Sequence, residues 1–525
     1  MTPTVRDQLL ARAEDPTPGL LAGGPGAERV WSWAEVVQES AVRSAVLADL
    51  LPAGQPPHVG LLLDNVPEFL LVLGGAALAG QVVVGLNTTR RGAALVADVR
   101  RSDTQVVLVD EAHAGLLEDV DLGVPVVRLD SPAWAAALAE RAGAGVPDVA
   151  VAPDDLLMLI FTSGTSGEPK AVNVTHAKVA GPGALLGGRF ELGTDDVAYL
   201  AMPMFHSNAV MAGWAPALAT GAAVALAPRF SASGFLPDVR RYGATYANYV
   251  GKPLTYVLAT PEQPDDADNP LRLVFGNEAN ERDIDAFARR FGCTVVDSYS
   301  STENAVIVQR VPGMPPGSLG RPLPGMAVLD PVTEQETPDA VFGPDGGLLN
   351  ADEATGELVN TTGGGAFAGY YRDPEAEAER MRSGMYWSGD LAYRDADGFV
   401  YFAGRTGDWL RVDGENLGAA TVERVLLRHP AVEEAAVYAV PDESVGDQVA
   451  VALVLRGELT PDGLAEFLAA QTDLSPKAWP RLVRVLDTLP RTATNKVLKR
   501  ELAAEGGDPS GGTVWRRPAR DTTYA

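Results

Sequence analysis

Leu156-Leu-Met-Leu-Ile-Phe161, then Thr162-Ser-Gly-Thr-Ser-Gly-Glu-Pro-Lys170, then Ala171-Val-Asn-Val-Thr-His176: from these three runs the rest of the chain can be read. Six consecutive apolar residues predict a buried strand, and Val172 and Val174 alternating with polar neighbours predict a second. The connection between them suits phosphate. Gly164 and Gly167 admit backbone angles closed to other residues, so successive N–H groups can turn inward around an anion. Thr162, Ser163, Thr165 and Ser166 add hydroxyl donors, Pro169 stiffens the exit, and Lys170 brings a point charge. A Walker A loop would end in Gly-Lys-Ser/Thr and open a helix. Here Lys170 follows Glu168-Pro169 and enters a strand. By composition alone the cluster also reads as a surface turn; the order of its residues is what points to a nucleotide.

Upstream, residues 30–150 alternate helical patterns (33–51, 65–79) with short apolar strands (58–63, 104–109, 124–127), as in a mainly parallel sheet covered by helices. Downstream the alternation continues: strand 197–202, a small-residue helix 208–220, strand 222–226, helix 235–242, strand 245–250, and a loop at 261–270. From Gly317 the texture changes to short β segments, 320–325, 356–359 and 369–372, suggesting a small β-barrel-like subdomain. Helix 420–427, strands 432–440 and 450–455, helix 461–470 and strand 481–485 make a compact α+β module at the end.

The chain has 525 residues, 46% of them apolar, enough for about three or four domains with large cores. Its 42 basic and 69 acidic residues give a net charge of −27, which disfavours nucleic acid and anionic membrane surfaces as partners. Cys293 stands alone, so no internal disulfide forms, which fits a cytoplasmic setting. Residues 1–7 lack the apolar core of a signal peptide. Residues 69–86 carry no formal charge, yet Gly74, Gly75, Gly80, Gln81 and Gly85 split them into a buried helix and a strand at 82–84 rather than a membrane span.

Several polar motifs follow the hairpin in order. Pro203-Met-Phe-His206 closes a strand; a lone histidine after an aromatic is by itself usually a packed ring. Apolar strands then run into Gly276-Asn-Glu-Ala279 and into Asp297-Ser-Tyr-Ser-Ser-Thr-Glu303, and ligands of open α/β sheets bind at such strand ends. Trp387-Ser-Gly-Asp390 precedes Gly404-Arg405; as a surface ion pair, Asp390 and Arg405 would contribute at most about 1 kcal/mol. Pro490-Arg-Thr-Ala-Thr-Asn-Lys496 stands near the end, where a lysine is ordinarily a solvated charge.

As an ordered set over about residues 30–505, these motifs resemble the adenylate-forming superfamily of acyl-CoA synthetases, peptide-synthetase adenylation domains and luciferases. Trp409-Leu-Arg-Val-Asp-Gly-Glu-Asn-Leu417, and Lys170-Ala171 after the loop proline, look most like its very-long-chain acyl-CoA synthetase and fatty acid transport protein branch. The resemblance implies an α/β fold: a large N-terminal domain (1–404) of two helix-covered β-sheets plus the β-barrel-like subdomain, a hinge (405–408, with Gly407 and Asp408), and a small mobile α+β C-terminal domain (409–525). It implies ATP, Mg²⁺ and coenzyme A as ligands.

Residue by residue, the resemblance implies that the phosphate loop Thr162–Lys170 holds the polyphosphate and that His206 gates the substrate carboxylate. By the same match, Gly276, Asn277 and Glu278 would line the adenine and acyl tunnel, beside Asp297, Ser298, Ser300 and Ser301. Tyr299 would stack on adenine, Thr302 would bond the α-phosphate, and Glu303 would hold Mg²⁺ with Thr162. Asp390 and Arg405 would hold the ribose, Asp413, Gly414 and Glu415 would lie along coenzyme A, and Lys496 would bridge carboxylate and α-phosphate during adenylation. Ser300 and Asn495 depart from family glycines, and Gly407 from a frequent Asp or Lys. The implied reaction is ATP-dependent activation of a hydrophobic carboxylic acid (long-chain, branched or polycyclic) through an acyl-adenylate, then transfer to CoA. One rival is a ligase that loads a carrier protein's phosphopantetheine; another is a non-catalytic lipid-binding or uptake protein. A homodimer is compatible with either.

Overall fold

The structure, a computed structural model, describes residues 3–524 except 25, 163–168, 280, 300, 312, 344–347, 406–408, 413–414, 443–445, 472–473, 475, 492–496, 508–510 and 519–521. It divides into two compact units: Met1–Asn304 with Ala366–Glu377, and Ala305–Gly365 with Ala378–Ala525.

The first unit is built on two helix-covered sheets. One has six strands in the order Val126–Arg128, Val106–Val109, His58–Leu62, Val82–Gly85, Leu156–Thr162 and Lys170–Thr175. The first five are parallel, and the last returns as an antiparallel hairpin in which Thr162 faces Lys170. Leu156–Thr162 is apolar without alternation because both faces are covered: Leu157, Met158 and Ile160 enter one core, Leu159 and Phe161 another.

The second sheet runs Thr294–Ser298, Leu273–Asn277, Tyr246–Val250, Val197–Leu200, Ala223–Leu226, Pro18–Ala22 and Arg29–Ser32, parallel except for its final pair. Helices Trp33–Leu50, Pro67–Ala79 and His176–Arg189 pack into the core the two sheets share. Gly92–Arg101 covers the first sheet's outer face; Ala232–Tyr242, Pro253–Leu258 and Glu281–Phe291 cover the second's.

The uncharged run at 69–86 resolves into Pro67–Ala79 and Val82–Gly85, parted by Gly80 in the left-handed region (φ 67°). Among the described residues no helix is long and apolar enough to cross a membrane. The helix expected at 208–220 differs: Ala209–Trp214 is a π-helix, and only Ala215–Thr220 is α. Pro216 has no N–H to give back to Ala212, and the Tyr246 hydroxyl donates to that carbonyl instead, at 2.6 Å.

His176, at the start of its helix, is fully buried, and neither ring nitrogen has a hydrogen-bond partner among the described residues. Burial drives its pKa from 6.5 to about 4; the charges of Asp155 and Asp7 oppose this weakly and Arg6 adds to it. The unfolded chain therefore takes up a proton here below pH 6.5 that the folded chain refuses until about pH 4, so stability falls as pH drops through that window. Between pH 7 and 5 this one group should cost about 2 kcal/mol. Denaturant melts of wild type and His176→Gln at both pH values should show the variant losing about that much less; equal losses would contradict it.

In the second unit, Met326–Leu329, Gly356–Asn360, Met385–Arg394, Met381–Arg382 and Val400–Arg405 form a small antiparallel sheet. Residues 369–372, read from sequence as a β segment, instead belong to the first unit, where Tyr370 forms an isolated bridge with Val172. The C-terminal sheet runs Glu415–Gly418, Trp409–Val412, Gly446–Leu455, Leu482–Val485 and Thr513–Arg516, with Val432–Asp442 also paired to Gly446–Leu455. Helices Ala419–Leu426, Pro461–Ala469 and Lys499–Ala504 accompany it. The tail, which had no functional reading from sequence, packs into this module: Trp515 and Tyr524 are buried, and the Tyr524 hydroxyl donates to Pro480 O at 2.8 Å.

Candidate functional site

The first unit gathers its polar motifs where the parallel strands end. Gly276 and Asn277 lie in register with Asp297 and Ser298 on the adjacent strand. Asn277 Nδ2 donates to Ser298 O (2.7 Å) and Ser298 Oγ (2.9 Å), and the Asp297 carboxylate accepts from Tyr249 OH (2.6 Å) and the Ala279 amide (3.0 Å). Glu278 is held at φ 68°, a conformation non-glycine residues adopt at a cost and keep mainly where surroundings impose it.

Gly276 is a requirement of packing: a Cβ there would lie 2.2 Å from Tyr249 O and 2.5 Å from its ring. Gly276→Ala must part the two strands and should destabilise the protein by about 1–3 kcal/mol, as an overpacked core does. A denaturant melt coinciding with wild type would refute this.

The histidine loop is fixed from below. Asn65, buried at the end of the adjoining sheet, donates to Met202 O and accepts from the Met204 amide, each at 2.9 Å, and so clamps the turn into Pro203–His206. The neighbouring Ser207 Oγ lies 2.9 Å from Thr302 Oγ1, which brings the histidine loop to the threonine of the Asp297–Glu303 motif. Tyr299, Ser301, Thr302 and His206 are half-buried, and Glu303 is buried.

Glu303 Oε1 accepts from the Tyr370 hydroxyl at 2.9 Å, and Lys170 Nζ, itself buried, sits 5.4 Å from the centroid of the same ring. Lys178 is a further buried cation: burial pushes its pKa down to about 8 against the opposing pull of Glu303. Sequence reading missed Tyr370, Lys178, Ser207 and Asn65. Tyr370 stands in Gly369-Tyr-Tyr-Arg372, a segment singled out in sequence only for its β texture, which points to no role.

A magnesium ion fits what is present. Glu303 is a hard oxygen donor whose second carboxylate oxygen takes no hydrogen bond from the described residues, and the Thr162 hydroxyl belongs to the same unit. No group of three or more His, Cys, Asp or Glu suited to a metal occurs among the described residues. One carboxylate completed by substrate phosphate is how Mg²⁺ is usually held, whereas a structural metal needs a cage.

In the second unit, Asp390 and Arg405 are directly opposed across an antiparallel pair, and Asp390 is buried, its amide donating to Ser388 Oγ at 3.0 Å. Ser163, Gly164, Thr165, Ser166, Gly167, Ser300, Gly407, Asp408, Asp413, Gly414 and Lys496 lie outside the described residues, as do the side chains of Arg405 and Glu415.

Residues 14–371 match the family described as AMP-binding enzyme, and 421–496 match the AMP-binding enzyme C-terminal domain. The chain is 54% identical, over 93% of its length and 94% of the relative's, to the medium/long-chain-fatty-acid–CoA ligase FadD17 of Mycobacterium marinum. It is 49% identical, over 90% of its length and 87% of the relative's, to the steroid-22-oyl-CoA synthetase of Rhodococcus jostii. The crystal structure of ATP-bound MatB from Rhodopseudomonas palustris shares the fold, with a TM-score of 0.83 at 23% identity over 96% of this chain and 99% of that one.

Proposed function

The chain belongs to the family of AMP-binding enzymes, and from that premise we propose that it is an AMP-forming acyl-CoA synthetase for a large apolar carboxylic acid, the long-chain and polycyclic classes named by its relatives at about half identity. The observation that carries the reading is the convergence of Lys170, Glu303 and Thr302 in one unit, two linked through Tyr370 and the third joined to the histidine loop.

The chemistry follows from charge. A carboxylate is a poor electrophile and ATP is polyanionic, so their approach has to be neutralised. Lys170 and the amides of its loop screen the departing pyrophosphate, and Lys496 bridges the acid's carboxylate to the α-phosphate. Glu303 and Thr162 would hold magnesium, which when bound would supply Lewis-acid neutralisation of the phosphates. Thr302 bonds the α-phosphate, His206 borders the carboxylate, Tyr299 stacks on adenine beside Gly276, Asn277 and Glu278, and Asp390 with Arg405 takes the ribose hydroxyls. The CoA thiol then attacks the acyl carbon and AMP leaves. Pantetheine runs past Asp413, Gly414 and Glu415 once the C-terminal domain (409–525) has turned on the 405–408 hinge against 1–404. A cytoplasmic setting, where ATP and CoA are supplied, is part of this proposal.

Measuring AMP release over a panel of fatty, branched and steroid acids, with CoA or a phosphopantetheinylated carrier protein as acceptor, tests this. CoA-dependent release with large apolar acids is expected. Turnover with the carrier alone would favour the carrier-loading rival, and no AMP with any acid the non-catalytic one.

A further inference from the structure

The chain from Phe367 to Arg372 lies against the edge strand of the phosphate hairpin. The Asn173 amide donates to Gly369 O at 3.1 Å, the Tyr371 amide donates to Ala171 O at 2.8 Å, and Tyr370 bridges Val172 between them. This short pairing holds the Tyr370 ring in a small apolar cluster with Val172, Ala376 and Phe367. Only 4% of Tyr370 is exposed.

Among the described residues the ring therefore touches two functional neighbours, with little freedom between them. Lys170 Nζ, 5.4 Å from its centroid, is a buried ammonium over a ring face, within the range where the ring quadrupole attracts a cation. The hydroxyl donates to Glu303 Oε1. A phenol is a neutral donor, so it orients the carboxylate without neutralising it, and the full charge remains for a metal on the other oxygen. Lys170 and Glu303 are 133 positions apart in sequence, yet both touch one buried aromatic side chain.

We propose that Tyr370 is a positioning residue that sets the distance between the lysine holding the polyphosphate and the carboxylate holding the metal, so that metal and nucleotide bind as one chelate. The proposal rests on the reading of the site as an ATP site. It separates the two halves of the side chain: the hydroxyl governs the metal's contribution to binding, and the ring governs the lysine's.

Calorimetric titration of ATP into the full-length protein, with saturating Mg²⁺ and again with EDTA, tests it on wild type, Tyr370→Phe and Tyr370→Leu, with thermal midpoints as a check on folding. Tyr370→Phe should weaken binding of the magnesium complex about tenfold, the usual cost of losing a hydrogen bond to a charged group, while metal-free binding stays within about twofold. Tyr370→Leu should weaken both. In turnover, the Phe variant should show the loss mainly as a raised KM for Mg·ATP. Undiminished Mg·ATP binding in Tyr370→Phe overturns the proposal. An equal loss with and without metal, accompanied by a lowered thermal midpoint, also overturns it, because the role would then be structural. Wild type that binds no ATP in either condition overturns the ATP-site reading itself, a different result from a variant that binds like wild type.

Discussion

Glu303→Gln is expected to slow acyl-adenylate formation by two to three orders of magnitude while leaving thioester formation from supplied acyl-adenylate nearly intact. Glutamine keeps the shape of the side chain, and its amide oxygen can still accept from Tyr370, so the change removes charge and little else. An elementary charge about 4 Å from a cation is worth roughly 4 kcal/mol at an effective dielectric of 20, near three decades of rate. Water and phosphate oxygens recover part of that, which sets the lower bound. The second half-reaction has no pyrophosphate to neutralise, so it should be spared. Acid-dependent exchange of pyrophosphate into ATP measures the first half-reaction. Wild-type exchange in the variant would remove Glu303 from the metal site.

Lys496→Ala should give a loss of similar size for a different reason. Two anions, the acid's carboxylate and the α-phosphate, must come within bonding distance, and a single ammonium placed between them is worth again roughly 4 kcal/mol, or two to three decades once solvent replaces part of it. The loss should be confined to adenylation, because thioester formation begins after those anions have been joined. The two variants differ in one test: excess Mg²⁺ should recover part of the activity of Glu303→Gln and none of that of Lys496→Ala. Pyrophosphate exchange that survived Lys496→Ala would end the assignment of that lysine.

What could be read from the sequence, and what could not, follows from the range of the interactions. The hexad 156–161 announced a strand covered on both faces because its apolar run is local, and the opposition of Thr162 to Lys170 follows from a hairpin. Asp390 and Arg405 were named as a pair through the resemblance of their motifs to the family's, and the antiparallel pairing of their strands sets them opposite each other. The π-helix at Ala209–Trp214 was not legible, since the Tyr246 hydroxyl that takes the carbonyl freed by Pro216 comes from another strand. Lys178 reads in sequence as an ordinary polar position on a helix; only the fold buries it near Glu303. Tyr370 is the clearest omission. Its partners lie 67 and 200 positions away, and nothing in its own neighbourhood points to either.

Residues 366–377 belong to the first unit, while the chain on either side of them belongs to the second. The polypeptide therefore passes from one unit to the other three times, and no single cut divides it into two self-sufficient fragments. A piece ending at Asn304 would keep Glu303 and lose the phenol bonded to it. Chimaeras with relatives joined at that point would thus mix the donor and acceptor of one buried hydrogen bond from two ancestries. A graft intended to change acid preference alone should carry 366–377 together with 1–304.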